Sequence, residues 1–321
     1  VFGPQRYGLH APRLARRLLY PQLVPVDGYL DPPPDARRRP RHERSRVIKK
    51  FLPLFNLIAL PKMAWRYRRL LEQMTRRGVE QRYRGSALGL TWSFVQPLMM
   101  LCVYTFIFSV VFKARWGVEV DGKGAFAVIM FCGMAIYNLF SEAVSMSCGC
   151  ITGQPNLVKK VIFPLEILPL SQVLTTFILG FAWFFLLFWG SYFILGFVGW
   201  TMLLLPIILV PLIIFTLGIS YFVASLGVYV RDTQYVIGVV MQILLFATPI
   251  FYPISAVPER LRWVLVWNPL TVYIEQARNV FLYGRLPNWS FLGCATLASL
   301  VILQFCYFFF IKTKRGFADV L

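Results

Sequence analysis

Histidine, acidic side chains and evenly spread charge are all scarce in this 321-residue chain, and each shortage removes a class of function. The two histidines, His10 and His42, lie in the first 50 residues, so the apolar body beyond them has no imidazole for a metal site or for His-based catalysis. No C-x-x-C pair occurs among Cys102, Cys132, Cys148, Cys150, Cys294 and Cys306, which sit in or beside apolar segments as small buried residues do. A phosphate-binding loop is missing as well. Its nearest match, GVEVDGKG at 117–124, has Gly124 where magnesium needs a hydroxyl, and it falls in a loop between two apolar runs rather than at a strand-to-helix turn. No cofactor site and no ATPase are expected in this chain.

Only 15% of the residues are charged, while 58% are hydrophobic and 17% aromatic, with a mean hydropathy of +0.62. That is not the composition of a soluble protein. The 33 Lys and Arg against 14 Asp and Glu give a net charge of +19, which by itself would suit nucleic acid. The distribution excludes that reading: 20 of the 33 precede residue 85, and the others fall in short clusters between long uncharged runs.

A helix needs about 20 apolar residues to cross a bilayer core of about 30 Å, because lipid offers its backbone no hydrogen-bond partner. On that measure 92–112 is one span and 124–147 a second, interrupted only by Glu142. Residues 167–230 are 64 in a row without charge, far too many for one crossing, so the chain must fold back at GFVGWT (196–201) to give spans three and four. Residues 233–252 make the fifth span and 290–311 the sixth. With both termini in the cytoplasm, 26 basic residues lie inside and seven outside, so the positive-inside rule sets the orientation. No secretory signal peptide is expected, and the first span directs insertion.

Residues 1–61 are rich in proline and arginine and are expected to be a disordered extension. At 62–84, Met63, Tyr67, Leu70, Leu71 and Met74 recur at helical spacing among arginines, as in an amphipathic helix lying at the cytoplasmic interface, in contact with membrane lipids. That helix either only anchors the chain or also meets a partner. The loop 152–171 carries Leu157, Val158, Val161 and Ile162 beside Lys159 and Lys160, between breakers at Gly153, Pro155 and Pro164. A half-apolar segment of this kind either hugs the membrane or docks in a groove of another protein. Gly85 and Gly89 form a G-x-x-x-G that would admit a neighbouring helix.

A helix face that mixes aromatic rings with amides can stack on a ligand and hydrogen-bond to it. In the first span Trp92, Gln96, Met100, Tyr104 and Phe108 share one helix face, and the fifth span adds Tyr235, Gln242 and Phe246. The third span has a comparable stripe, Phe177, Phe181, Phe184, Phe188 and Tyr192, without polar members, which reads as lipid-facing or packing. Glu142, the one intramembrane acid, is expected to bond Ser141 and Ser145 or to face a wet cavity. Between spans five and six, 253–289 mixes Glu259, Arg260, Arg262, Glu275 and Arg278 with apolar residues and prolines, which suits two short re-entrant helices on the outer side.

Three stretches, RYRGSALGLTWSFVQPLMMLCVYTFIFSVVF (82–112), NLVKKVIFPLEILPLS (156–171) and NPLTVYIEQARNVFLYGRLPNW (268–289), resemble the polysaccharide-export permeases of the ABC-2 type exporter family. The resemblance runs from about 62 to 318 and leaves residues 1–50 without a counterpart. It implies an all-α integral membrane protein of six transmembrane helices, residues 85–321, with an N-terminal interface helix and external re-entrant helices that gate the outer mouth. It also implies a homodimer in the cytoplasmic membrane, paired with two separate ABC ATPase subunits that bind ATP and Mg, exporting a lipid-linked glycan such as O-antigen or teichoic acid. Arg76, Arg82, Tyr83 and Arg84, with Asn156, Leu157, Lys159 and Lys160, would then meet the ATPase. The first and fifth spans would line the path with Trp92, Gln96, Tyr104, Phe108, Tyr235, Gln242 and Phe246. The competing readings are an ABC-2 permease for a small molecule or drug and a membrane-embedded enzyme acting on lipid-linked sugars.

Overall fold

The computed structural model describes residues 59–111, 124–159, 163–196 and 199–321. The expected disorder of the N-terminal extension, the external loop at 113–123 and Lys160 lie outside the described residues. Among those described, all regular structure is helical, and five helices are long and apolar enough to cross a membrane.

Two helices come first, α1 (Ala59–Arg66) and α2 (Arg68–Arg82). Then come α3 (Trp92–Tyr104), prolonged by a π-type segment to Val111, and α4 (Ala125–Cys148). A five-residue α5 (Pro155–Lys159) precedes α6 (Ile167–Gly190), which continues to Leu195 before the chain turns at Gly196. Next are α7 (Leu205–Tyr229), α8 (Thr233–Phe246), α9 (Glu259–Trp267), α10 (Pro269–Phe281), α11 (Trp289–Thr313) and the terminal α12 (Phe317–Val320).

Burial separates these helices by role. The most apolar 18-residue stretch of α4 is 83% buried, whereas that of the Gly89–Phe108 run is only 6% buried. Phe131, Ile136, Leu139 and Val144 of α4 form the centre of the core, with Leu187 from α6, Leu212 and Val223 from α7, and Leu270, Tyr273 and Ile274 from α10 around them. Hydroxyls in these helices bond back to carbonyls four residues earlier, Ser147 to Ala143 at 2.7 Å and Thr216 to Leu212 at 2.7 Å, which hides them from the apolar surroundings. The close pairing of α7 with α11 depends on Gly218, where a side chain would put its first carbon 2.9 Å from the Leu303 Cα.

At the ends of α7 and α11 that lie near α12, the buried Tyr221 hydroxyl donates to the Glu166 carbonyl at 2.9 Å. The Glu166 carboxylate takes Lys314 Nζ on both oxygens, at 2.8 and 2.9 Å. Phe317 of α12 is buried against the rings of Phe310 and Tyr229, so the chain's last turns are part of the core.

The region expected as the fifth span differs from its expectation. Helix α8 stops at Phe246 after 14 residues, about 21 Å at 1.5 Å per residue, well short of a bilayer core of about 30 Å. Pro249 and Pro253 cannot donate to a continuing helix, and the chain instead turns at Thr248 to Ile250. Arg278 holds that turn. The sequence places it in an external amphipathic segment, and there its side chain is only 1% exposed. Its Nη1 donates to the Pro249 carbonyl at 2.8 Å and its Nη2 to the Ile250 carbonyl at 3.0 Å, with Glu275 Oε1 3.0 Å from Nη1. A five-donor guanidinium suits the carbonyls that a broken helix leaves unpaired. The Asn268 side chain caps α10 by accepting from the Leu270 N–H at 3.0 Å, and donates to Thr248 Oγ1 at 2.9 Å.

Candidate functional site

A cavity of about 280 Å³ opens between α3, α4 and α6 beside the end of α2. Three helix faces build it. Ser93, Gln96, Met100 and Tyr104 come from α3 at spacings of three or four; Met134, Asn138, Ser141 and Glu142 do the same on α4; and Leu179, Gly180 and Trp183 on α6 complete the wall. Arg82 and Tyr83 close one end.

Within it Arg82 is ion-paired with Glu142, the two side chains being 26% and 32% exposed. Glu142 therefore faces the cavity, one of its two expected settings, and takes its basic partner from α2, because α2 packs along α6 and delivers its last residue to α4. The α2–α6 contact is close: Thr175 Oγ1 lies 3.3 Å from the Thr75 carbonyl, and Gly78 abuts the same threonine. Trp183 stacks at one face on Phe131, with centroids 5.1 Å apart. The cavity thus joins Arg82 and Tyr83, read from sequence as ATPase-side residues, to Gln96 and Tyr104, read as path residues. Sequence reasoning missed Asn138 and Trp183; the polar i, i+3, i+4 set Asn138, Ser141 and Glu142 was the signal for one of them.

A second group forms at the far end of α3. Phe251, in the turn that Arg278 holds, has the rings of Tyr104, Phe108 and Phe246 at 6.4, 6.1 and 5.8 Å. Three of the seven predicted path residues are therefore neighbours through a residue outside that set. Trp92, Tyr235 and Gln242 are exposed and join neither group, Tyr235 being 79% exposed.

The expected coupling residues are more scattered. Arg76 pairs with Glu80 at 3.0 Å on the exposed face of α2, and Arg84 is exposed. In α5, Asn156 and Lys159 are exposed, but Leu157 and Val158 are half-buried against the core cluster that includes Ile151 and Phe317. Their apolar side chains anchor the short helix to its own protein, and its polar residues are left outward. Among the described residues no helix lies against Gly85 or Gly89; both have positive φ, 84° and 52°, and shape the turn from α2 into α3. Just beyond α4, burial pushes the Cys150 thiol well up from its ordinary range.

The sequence pattern of the ABC-2 type transporter family matches residues 69–282, two thirds of the chain and all the helices that build both groups. The chain belongs to that family. As an ABC-2 type transporter it is a multi-pass membrane protein and a transport component, not an enzyme; in such transporters the ATPase is a separate subunit, and association with an ABC ATPase follows. Among its relatives is an O-antigen export system permease protein RfbA of Myxococcus xanthus, 28% identical over 276 residues that make up 82% of this chain and 99% of the relative. An RfbA of Klebsiella pneumoniae is 26% identical over 257 residues, 78% of this chain and 95% of the relative. The polysialic acid transport protein KpsM of Escherichia coli is 24% identical over 238 residues, 73% and 89% of the two chains.

Proposed function

We propose that this ABC-2 type transporter is the permease of an ATP-driven exporter that carries a lipid-linked cell-surface polysaccharide across the cytoplasmic membrane. The relatives that cover most of their length with this chain are named for O-antigen or polysialic acid export, which favours a glycan over a drug-sized cargo. The observation that carries the reading is the chemistry of the bare face of α3 and α8. Gln96, Tyr235 and Gln242 are exposed on helices otherwise apolar enough for lipid, and amides in contact with hydrocarbon are costly. A wet path between two copies of the chain removes that cost, so the working unit is a homodimer with Trp92, Gln96, Tyr104, Phe108, Tyr235, Gln242 and Phe246 toward the path.

In that unit both termini are cytoplasmic, α8 with its Arg278-held turn completes a sixth crossing, and α9 and α10 re-enter at the outer mouth. Two ATPase chains dock beneath Arg76, Arg82, Tyr83, Arg84, Asn156, Leu157, Lys159 and Lys160. Nucleotide-driven closure displaces α2 and α5, and α2 passes its motion to α6 through Thr75 and Thr175 and to α4 through Arg82 and Glu142. The glycine turn at 85–89 lets α3 change its tilt independently. Deleting the gene in its own host tests the reading: surface glycan should disappear and its lipid-linked precursor accumulate inside, with both reversed by the wild-type chain. Unchanged surface glycan would refute it.

A further inference from the structure

We propose that the cavity between α3, α4 and α6 is a binding site for a single sugar ring, held by the Gln96 and Asn138 amides against Trp183; this rests on the glycan reading above. Three observations converge. Among the described residues neither amide has a hydrogen-bond partner, Asn138 standing half-buried in the cavity wall and Gln96 exposed at it, so both are free to meet a polyol, which supplies donors and acceptors for both. Trp183 is fixed from behind by Phe131, centroids 5.1 Å apart, and offers a rigid aromatic wall for the apolar face of a ring. The cavity, about 280 Å³, lies just under the range of about 300–1,000 Å³ typical of drug-sized sites, a scale for one ring rather than an oligosaccharide.

Charge decides between a sugar and a phosphate. The cavity's cation, Arg82, is paired with Glu142, so an entering anion would meet a carboxylate beside a guanidinium already neutralised. What remains for a ligand is uncharged: two amides, the hydroxyls of Tyr83, Ser93, Tyr104 and Ser141, and the Trp183 ring. The Arg82–Glu142 pair also places α2 at the rim, where an occupied cavity differs from an empty one next to the helix that faces the ATPase.

The ring could belong to the lipid-linked cargo or to a free monosaccharide, and two probes separate them. The full permease–ATPase complex is placed in lipid nanodiscs, since glycoside detergents would compete, and kept free of nucleotide. Methyl glucoside and methyl N-acetylglucosaminide are tested by saturation-transfer NMR, and a radiolabelled polyprenyl-diphosphate disaccharide by filter retention. Binding of either probe, weakened at least about tenfold by Gln96→Leu and by Asn138→Leu and largely retained in Trp183→Phe but lost in Trp183→Leu, is the expected result. If Asn138→Leu does not assemble, the isosteric Asn138→Asp, which removes both N–H donors, carries the same expectation. Binding of only the lipid-linked probe assigns the ring to the cargo; binding of the free glycosides makes it a general monosaccharide site. Variants that bind like wild type, or a wild-type complex that retains neither probe, overturn the site. A complex without binding that still exports glycan with ATP loses only the site, whereas one that exports none loses the permease reading too.

Discussion

Replacing Arg278 with leucine removes a side chain that ties three segments together, and the cost can be worked from its contacts. The carbonyls of Pro249 and Ile250, at 2.8 and 3.0 Å from the guanidinium, lose their donors. Each buried unsatisfied acceptor costs about 1–3 kcal/mol. Glu275 loses its partner too, but it is 33% exposed and can rehydrate, so it adds little. The third carbonyl, Ile129 at 3.4 Å, lies in helix α4 and depends less on the arginine. The total is about 3–5 kcal/mol, in the range for removing one partner from a buried charged network. At roughly 2 °C per kcal/mol for a chain of this size, the melting temperature of the purified protein should fall by roughly 6–10 °C. Arg278→Lys keeps the charge but supplies a point donor in place of a fork, and should recover about half. Gly133→Ala acts on the same cluster from the other side, since its new carbon would sit 2.9 Å from Arg278 Nη2; a smaller loss of about 1 kcal/mol is expected. Fluorescence-detected size-exclusion after heating reads all three. An Arg278→Leu protein melting within about 2 °C of wild type would show that the turn stands without its arginine, and the reasoning would fail.

Gly218→Leu must force α7 away from the Leu303 backbone, and should leave little or no monodisperse protein in detergent, while Gly293→Leu, with open space at its site, should behave as wild type. Single reversals Arg82→Glu and Glu142→Arg should each lower glycan export, and the double reversal should restore part of it; since both groups are partly exposed, a coupling of about 1 kcal/mol is expected, and a double variant no better than either single would refute the link. Because burial raises the Cys150 thiol, its thiolate is rare near neutrality, so maleimide labelling at pH 7 should be negligible and should increase only when the pH is taken well into the alkaline range; rapid labelling at pH 7 would contradict its burial. Lys159→Glu, at the exposed side of α5, should reduce co-purification of the ATPase without changing thermal stability, whereas Leu157→Asp should lower stability as well because Leu157 packs on the core.

The long apolar runs were legible because hydrocarbon imposes a length on any helix that crosses it. Helix α4 (Ala125–Cys148) begins and ends within a residue or so of the 124–147 run, and the fold-back between α6 and α7 falls at the expected GFVGWT. Pro249 and Pro253 were legible as the breaks that end the fifth span; what composition could not show is the arginine, from a helix some 30 residues later, that holds the turn and lets α8 stop as early as Phe246. Arg278 itself looked like an external charge because a sequence window registers its neighbours in the chain and not the carbonyls waiting across the core. The aromatic stripe on α3 was readable at i+4 spacing, but its grouping around Phe251 required knowing where the turn after α8 returns.

Arg82 and Glu142 show how a division drawn along the chain fails in three dimensions. In sequence they are 60 residues apart, one in an arginine-rich surface helix and the other an isolated acid in an apolar span, and separate roles suited each. Packing of α2 along α6 brings the last residue of α2 to the polar face of α4, where a carboxylate without a cation would be expensive and an arginine without an anion would be drawn back to the surface. The pair therefore fixes the position of α2 relative to the buried core, while the glycine turn that follows leaves α3 free of that constraint. A push on α2 is then borne by α4 and α6, the rigid interior, and α3 moves as the exposed wall. If instead α3 were the rigid receiver, lengthening the turn by inserting Gly-Ser-Gly between Gly85 and Gly89 would uncouple it and slow export sharply; on the arrangement described above, export and ATPase docking should both be retained.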